Sequence, residues 1–178
     1  MKRYISMFLF IIICFLLQTT LFQKLKLANV SPNLLVVLVS SAGVMYGRGA
    51  GMYSGILSGI LCDFIYSDII GVYILIYVVT GYICGLAHKL YYKDDMIVPV
   101  FIIAASDLFA NMMFYTICFL LRGKLGILGY MQDIILPELV YTVIAGILIY
   151  RMLYWLEEKM YPPAEVPLES QPLQEEEV

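Results

Sequence analysis

The chain has 178 residues, 62% of them hydrophobic and only 14% charged, with a mean hydropathy of +0.87. That balance excludes a water-soluble domain and indicates a membrane protein. The formal net charge is -3, but Glu165, Glu169, Glu175, Glu176 and Glu177 all follow Pro162, so the body before them is mildly basic. No basic stretch is dense enough to follow a nucleic-acid backbone, so nucleic acid is not an expected partner.

A bilayer core of about 30 Å asks for about 20 apolar residues per helix, and fewer where protein shields the segment. On that ruler residues 1–161 form an all-α transmembrane domain, a bundle of six helices at about 4–22, 33–46, 50–66, 69–87, 97–121 and 137–156. Lys2 and Arg3 ahead of the apolar run Tyr4 to Leu17 imitate a secretory leader. Gln18-Thr19-Thr20-Leu21-Phe22 offers no small-x-small cleavage site, so this is expected to be a retained first helix. Ser31-Pro32-Asn33 is a cap with a proline before the second helix, Gly47-Arg48-Gly49 interrupts the next apolar run, and Pro137 opens the sixth. The second and third runs are short, which leaves five spans as the alternative.

The third helix carries GMYSGILSGILCDF (51–64). Gly51, Gly55 and Gly59 recur every four residues and Asp63 takes the next place, beside a second row of Ala50, Ser54, Ser58 and Cys62. Lipid tails supply no hydrophobic force between helices, so small side chains matter by letting backbones approach. Both rows are therefore expected to be helix-packing ridges. Successive four-residue steps drift by about 40° on a helix of 3.6 residues per turn, which lets Asp63 leave the seam for a polar neighbour.

Ionisable groups cost roughly 2.5–3.5 kcal/mol at the centre of an inserted helix, so each embedded acid needs a reason. Asp63 near the end of the third helix and Glu138 at the start of the sixth fall near one interface, with Arg122 and Lys124 in the loop on that side. Two readings stand: a polar cluster with Gln18 tying helix ends together, or a proton or ion site. Glu138 beside Pro137 also suits the preference for acids at helix N-termini. Asp107 lies about 15 Å into the fifth helix, with Ser106 beside it and Asn111 one turn on, so this face should point into the bundle. It reads either as a buried, hydrogen-bonded acid or as part of a transport path.

With six spans and an inner N-terminus, Lys2, Arg3, Arg48, Lys89, Lys93, Arg151 and Lys159 fall inside and Lys24, Lys26, Arg122 and Lys124 outside. This favours two cytoplasmic termini. Trp155, Tyr91, Tyr92, Tyr150 and Tyr154 then lie at inner span ends, where amphipathic rings anchor helices. Residues 162–178, with prolines and glutamates, are expected to form a disordered acidic cytoplasmic tail. Gly47-Arg48-Gly49-Ala50-Gly51 lacks the phosphate-loop pattern. His88 is the sole histidine, and Cys14, Cys62, Cys84 and Cys118 show no metal-ligand spacing. No catalytic, cofactor or metal residues are assigned, and no serine–histidine, paired-aspartate or HExxH arrangement is present.

The order of these features resembles the bacterial rod-shape-determining protein MreD family. The resemblance rests on Ser31-Pro32-Asn33-Leu34-Leu35, the arginine–glycine turn leading into GMYSGILSGILCDF, GVYILIYVVTGYICGLAHKLYYKDD (71–95) and LPELVYT (136–142). It implies a non-enzymatic, multi-pass protein of the inner membrane that acts as a scaffold or regulator in cell elongation and peptidoglycan synthesis. The implied partner is a single-span MreC-like protein, and through it the MreB filament, RodA and a class B penicillin-binding protein. The family also looks like the six-helix substrate-binding subunits of energy-coupling-factor vitamin transporters, which supplies an alternative function. Such subunits usually carry an alanine-x-x-x-alanine docking motif on the first helix, and YISMFLFIIICFLLQTTLF contains neither alanine nor glycine. The segment Lys124 to Met131, mixing glycine with apolar residues at the outer interface, is a candidate partner contact or a loop resting on headgroups.

Overall fold

A computed structural model describes residues 2–24, 30–67, 69–90, 97–118 and 127–160. Among them the chain is helical: α1 Lys2–Lys24, α2 Leu34–Tyr46, α3 Arg48–Tyr66, α4 Val72–Leu86 running on into a 3₁₀ turn Ala87–Leu90, α5 Ile97–Cys118, a short α6 Ile127–Tyr130, and α7 Leu136–Met160. The helices alternate in direction. The start of α1, the end of α2 and the start of α3 meet through Met7, Ala42 and Ala50, while the end of α2, the start of α5 and the end of α7 meet through Met45, Ile103 and Tyr150.

Three of these helices, in the windows Val72–Lys89, Ile97–Cys118 and Leu136–Leu156, are long and apolar enough to cross a membrane. Their outward residues are large and apolar: Phe101 is 75% exposed and Ile97 80%. Such an exterior suits lipid and not water. α2 is different. Its 13 residues extend about 20 Å at 1.5 Å each, short of a full bilayer core, and every residue from Leu34 to Met45 is buried. A helix that is apolar on all sides belongs in the middle, and α1, α3, α4, α5 and α7 all pack around it.

The most intimate pair is α3 and α4. The glycine row of α3 lies against the backbone of α4. A Cβ on Gly55 would sit 2.6 Å from the Tyr77 carbonyl oxygen, and one on Gly59 would collide with the Ile74 Cα. Gly51 and Gly81 face each other, each occupying the space the other's Cβ would need, and a Cβ on Gly43 of α2 would lie 2.9 Å from the Gly81 carbonyl oxygen. The second row turns elsewhere: Ala50 packs with Met7 and Ala42, and Cys62 joins Phe10, Ile11 and Cys14 of α1. Ser54 and Ser58 are fully buried between, Ser54 Oγ donating 2.9 Å to the Gly51 carbonyl. Met52 and Ile56, off both rows, are exposed. The small-residue surface thus lies within the chain's own bundle.

Two boundaries differ from the sequence reading. α3 begins at Arg48, with Gly47 at φ +86° making the break. Before α7 the chain is already helical: α6 passes into a π turn, Met131–Ile135, in which the Leu136 N–H bonds the Met131 carbonyl. Pro137 has no N–H and its ring crowds the carbonyl four residues back, and a π turn relieves that crowding by shifting the ladder by one residue. Pro137 therefore does not open the helix. The fifth span's expected end at residue 121 and the loop residues 122–126 lie outside the described residues.

Because its new side chain would meet backbone and not a movable side-chain tip, Gly55→Leu is expected to destabilise the bundle by about 3 kcal/mol or more. Accumulation in membranes and melting in detergent measure this, with Met52→Leu on the exposed face remaining close to wild type.

Candidate functional site

Gly71 begins α4 in a left-handed conformation at φ +105° and has no side chain with which to cap the helix. Asp63 supplies the cap from the neighbouring helix. Its Oδ2 accepts from Gly71 N at 2.9 Å and Ile74 N at 3.2 Å, and its Oδ1 from Tyr73 N at 3.0 Å. A carboxylate there satisfies donors that a helix start leaves open and lies at the positive end of the helix dipole. Asp63 is 3% exposed, so these N–H groups are its principal solvation.

α2 is capped by a second network. Asn33 Oδ1 accepts from Val36 N at 3.2 Å and from the Tyr77 hydroxyl at 3.1 Å. The Asn33 N–H donates to Thr142 Oγ1 of α7 at 3.1 Å, and Gln18 Oε1 of α1 accepts from Leu35 N at 3.3 Å. Four helices are joined at the beginning of α2. Asp63, Gln18 and Glu138, grouped together by the sequence reading, here serve three different positions. Arg122 and Lys124 lie outside the described residues.

Beside Asn33 a polar pocket of about 140 Å³ opens between α2, α4, α5, α6 and α7. Tyr73 and Tyr77 of α4, Asn111 and Phe114 of α5, Tyr130 of α6 and Glu138 of α7 form its walls. Tyr73 lies 5.3 Å from Phe114 and 6.0 Å from Tyr77 between ring centroids, the latter edge-on. Asn111 hydrogen-bonds the Glu138 carboxyl, and its Nδ2 donates 3.1 Å to the main-chain carbonyl of Asp107. Burial pushes the Tyr130 phenol, outside the spans, up to about 12, which keeps it a neutral hydroxyl near pH 7. Among the described residues, no group of three or more His, Cys, Asp and Glu side chains comes together as metal ligands.

Asp107 faces inward, fully buried, with Ser106 and Asn111 also buried. Neither of its carboxyl oxygens has a hydrogen-bond partner among the described residues. His88, at the other end of the bundle, closes α2: its Nδ1 is 2.6 Å from the Val44 carbonyl oxygen.

The family model of the rod shape-determining protein MreD matches residues 1–160. The chain belongs to the MreD family. No curated protein and no solved structure matches it. MreD is a non-catalytic, shape-determining family, and with the three membrane-length helices this makes the chain a membrane protein with a role in rod shape determination.

Sequence reasoning passed over Gly81 and Gly85 on α4 and the linking part of Asn33, Tyr77 and Thr142. The first pair was visible as a second four-residue glycine step in TGYICGLA. The others are ordinary polar residues, and only the packing of four helix ends brings them together.

Asp63→Ala is expected to lower stability by about 2 kcal/mol or more, because three N–H groups lose a charged acceptor, with Asp63→Asn milder. Thermal melting and hydrogen exchange at Gly71, Tyr73 and Ile74 report it. Asp107→Leu, which removes an unpartnered buried polar group, should melt at or above the wild-type temperature. A loss of cell-shape function in that folded variant would give Asp107 a functional role.

Proposed function

We propose that this protein is a non-enzymatic scaffold or regulator of the cell-elongation and peptidoglycan-synthesis machinery. It crosses the bacterial inner membrane six times, has both termini in the cytoplasm, and binds a single-span MreC-like partner. The family match over residues 1–160 carries this reading. The alternating helix directions and the greater number of basic residues on the side of the α1 start support the orientation. Through the partner the protein would connect indirectly to an MreB filament, RodA and a class B penicillin-binding protein.

The glycine and serine rows pack within the bundle, so the partner's span has to meet other faces. Outward residues of α1, α5 and α7, such as Phe8, Phe101 and Leu148, offer apolar surface for it. The alternative, a vitamin-binding transporter subunit, calls for a ligand pocket of about 300 Å³ or more. The pocket at Glu138 has about 140 Å³, and the larger hollow of about 440 Å³ between α5 and α7, lined by Ile97, Val100, Phe101, Ala104, Ile147 and Tyr150, has no described charged residue to hold a vitamin, which favours the scaffold.

Tagged protein extracted from its own membranes is expected to bring down a single-span partner with an extracytoplasmic domain, identified by mass spectrometry. Extraction with a bound vitamin and without such a partner would sink the scaffold. Reporter fusions after Tyr161 and within 122–126 should register on opposite sides of the membrane, the former inside.

A further inference from the structure

The pocket at Glu138 is more specific than a scaffold needs. Among the described residues Glu138 is the acidic wall residue, only partly buried and oriented by Asn111, and no described Lys, Arg or His lines the pocket. A carboxylate can accept further hydrogen bonds beyond the one from Asn111. The other walls supply electron-rich aromatic rings and the Tyr hydroxyls. An acid opposite aromatic rings attracts a cation, since ring faces carry negative charge density, and it repels an anion. The size narrows the choice further. A volume of about 140 Å³ holds about four or five waters, enough for a small charged head and too little for a ring system. The position narrows it again: the pocket lies where α2, α4 and α7 begin, at the end of the bundle and within reach of headgroups.

From this cavity, its carboxylate and its rings, we infer a binding site for one ammonium group, carried by a zwitterionic lipid headgroup or by a small free amine. Glu138 pairs with the ammonium N–H groups, Tyr73 and Phe114 present rings to its adjoining carbons, and Tyr130 on α6 closes the outer wall. An occupied site would join α6 and α7 to α4 and α5. This goes beyond the scaffold proposal and stands without it.

The test uses the full chain. In nanodiscs of mixed phosphatidylethanolamine and phosphatidylglycerol, native mass spectrometry counts the lipids retained. In detergent, methylammonium chloride is titrated against equal sodium chloride and against methanol, with melting temperature as readout. Preferential retention of phosphatidylethanolamine assigns the site to a headgroup. Stabilisation by methylammonium alone, without lipid preference, assigns it to a free amine, and both results uphold the inference. Glu138→Gln is expected to weaken the observed preference about tenfold or more, and Phe114→Leu, which leaves the charge in place, to weaken it as well. Absence of both preferences overturns the site, as does a preference unchanged in folded Glu138→Gln. Should Glu138→Gln fail to fold, Phe114→Leu decides: unchanged selectivity there also overturns it.

Discussion

Two helix backbones touch in this bundle, and the other packing follows from that contact. At Gly51 and Gly81 no side chain separates α3 from α4, so the carbonyl of each occupies the space of the other's absent Cβ. In a bilayer, where apolar side chains gain little by leaving lipid for protein, such close approach is the main source of attraction between helices. The glycines at 55, 59 and 85 extend the contact along the pair. With α3 and α4 drawn together, α2 fits into the groove they make, which is why Gly43 also lies against Gly81.

A buried α2 creates an electrostatic demand. Its first N–H groups begin inside protein, away from water, and orphaned donors there are costly. Asn33 and Gln18 answer for α2, and Asp63 answers for α4, whose own cap residue is a glycine. Each solution takes its acceptor from a different helix or from a residue already bound to one. Satisfying the helix starts therefore also sets the rotation of α1, α4 and α7 about α2. The same gathering of polar ends leaves the small pocket beside Asn33, so capping chemistry and the candidate binding site arise from one cause.

The glycine row illustrates what local pattern can and cannot say. Four-residue spacing on a helix is enough to identify a packing ridge, and the drift of that ridge is enough to separate Asp63 from Gly51. The choice of α4 as partner needed the second glycine step, at Gly81 and Gly85, to be set against the first. Asp107 was legible as inward-facing because Ser106 and Asn111 share its side of α5. The pocket was not legible: Asn33, Tyr77, Asn111 and Glu138 come from four separate helices, and nothing in their individual neighbourhoods marks them as one wall. The π turn was equally hidden, because Pro137 alone is compatible both with a helix start and with a helix that bends its ladder around the ring.

By itself the sequence determined that this protein lives in a membrane, that it is helical, roughly where its longer helices run, without α6 or the π turn, and which ridge of α3 is smooth, since hydropathy, helical period and side-chain size are local properties. It also carried the family resemblance, which is a matter of residue order. Tertiary structure alone decided that Asp63 caps a neighbouring helix, that Gln18 serves the start of α2 while Glu138 lines a pocket, and that this pocket opens between α2, α4, α5, α6 and α7. Those outcomes depend on where helices far apart in the chain come to rest against one another, and that is set by the sum of backbone contacts and buried polar groups and not by any one segment.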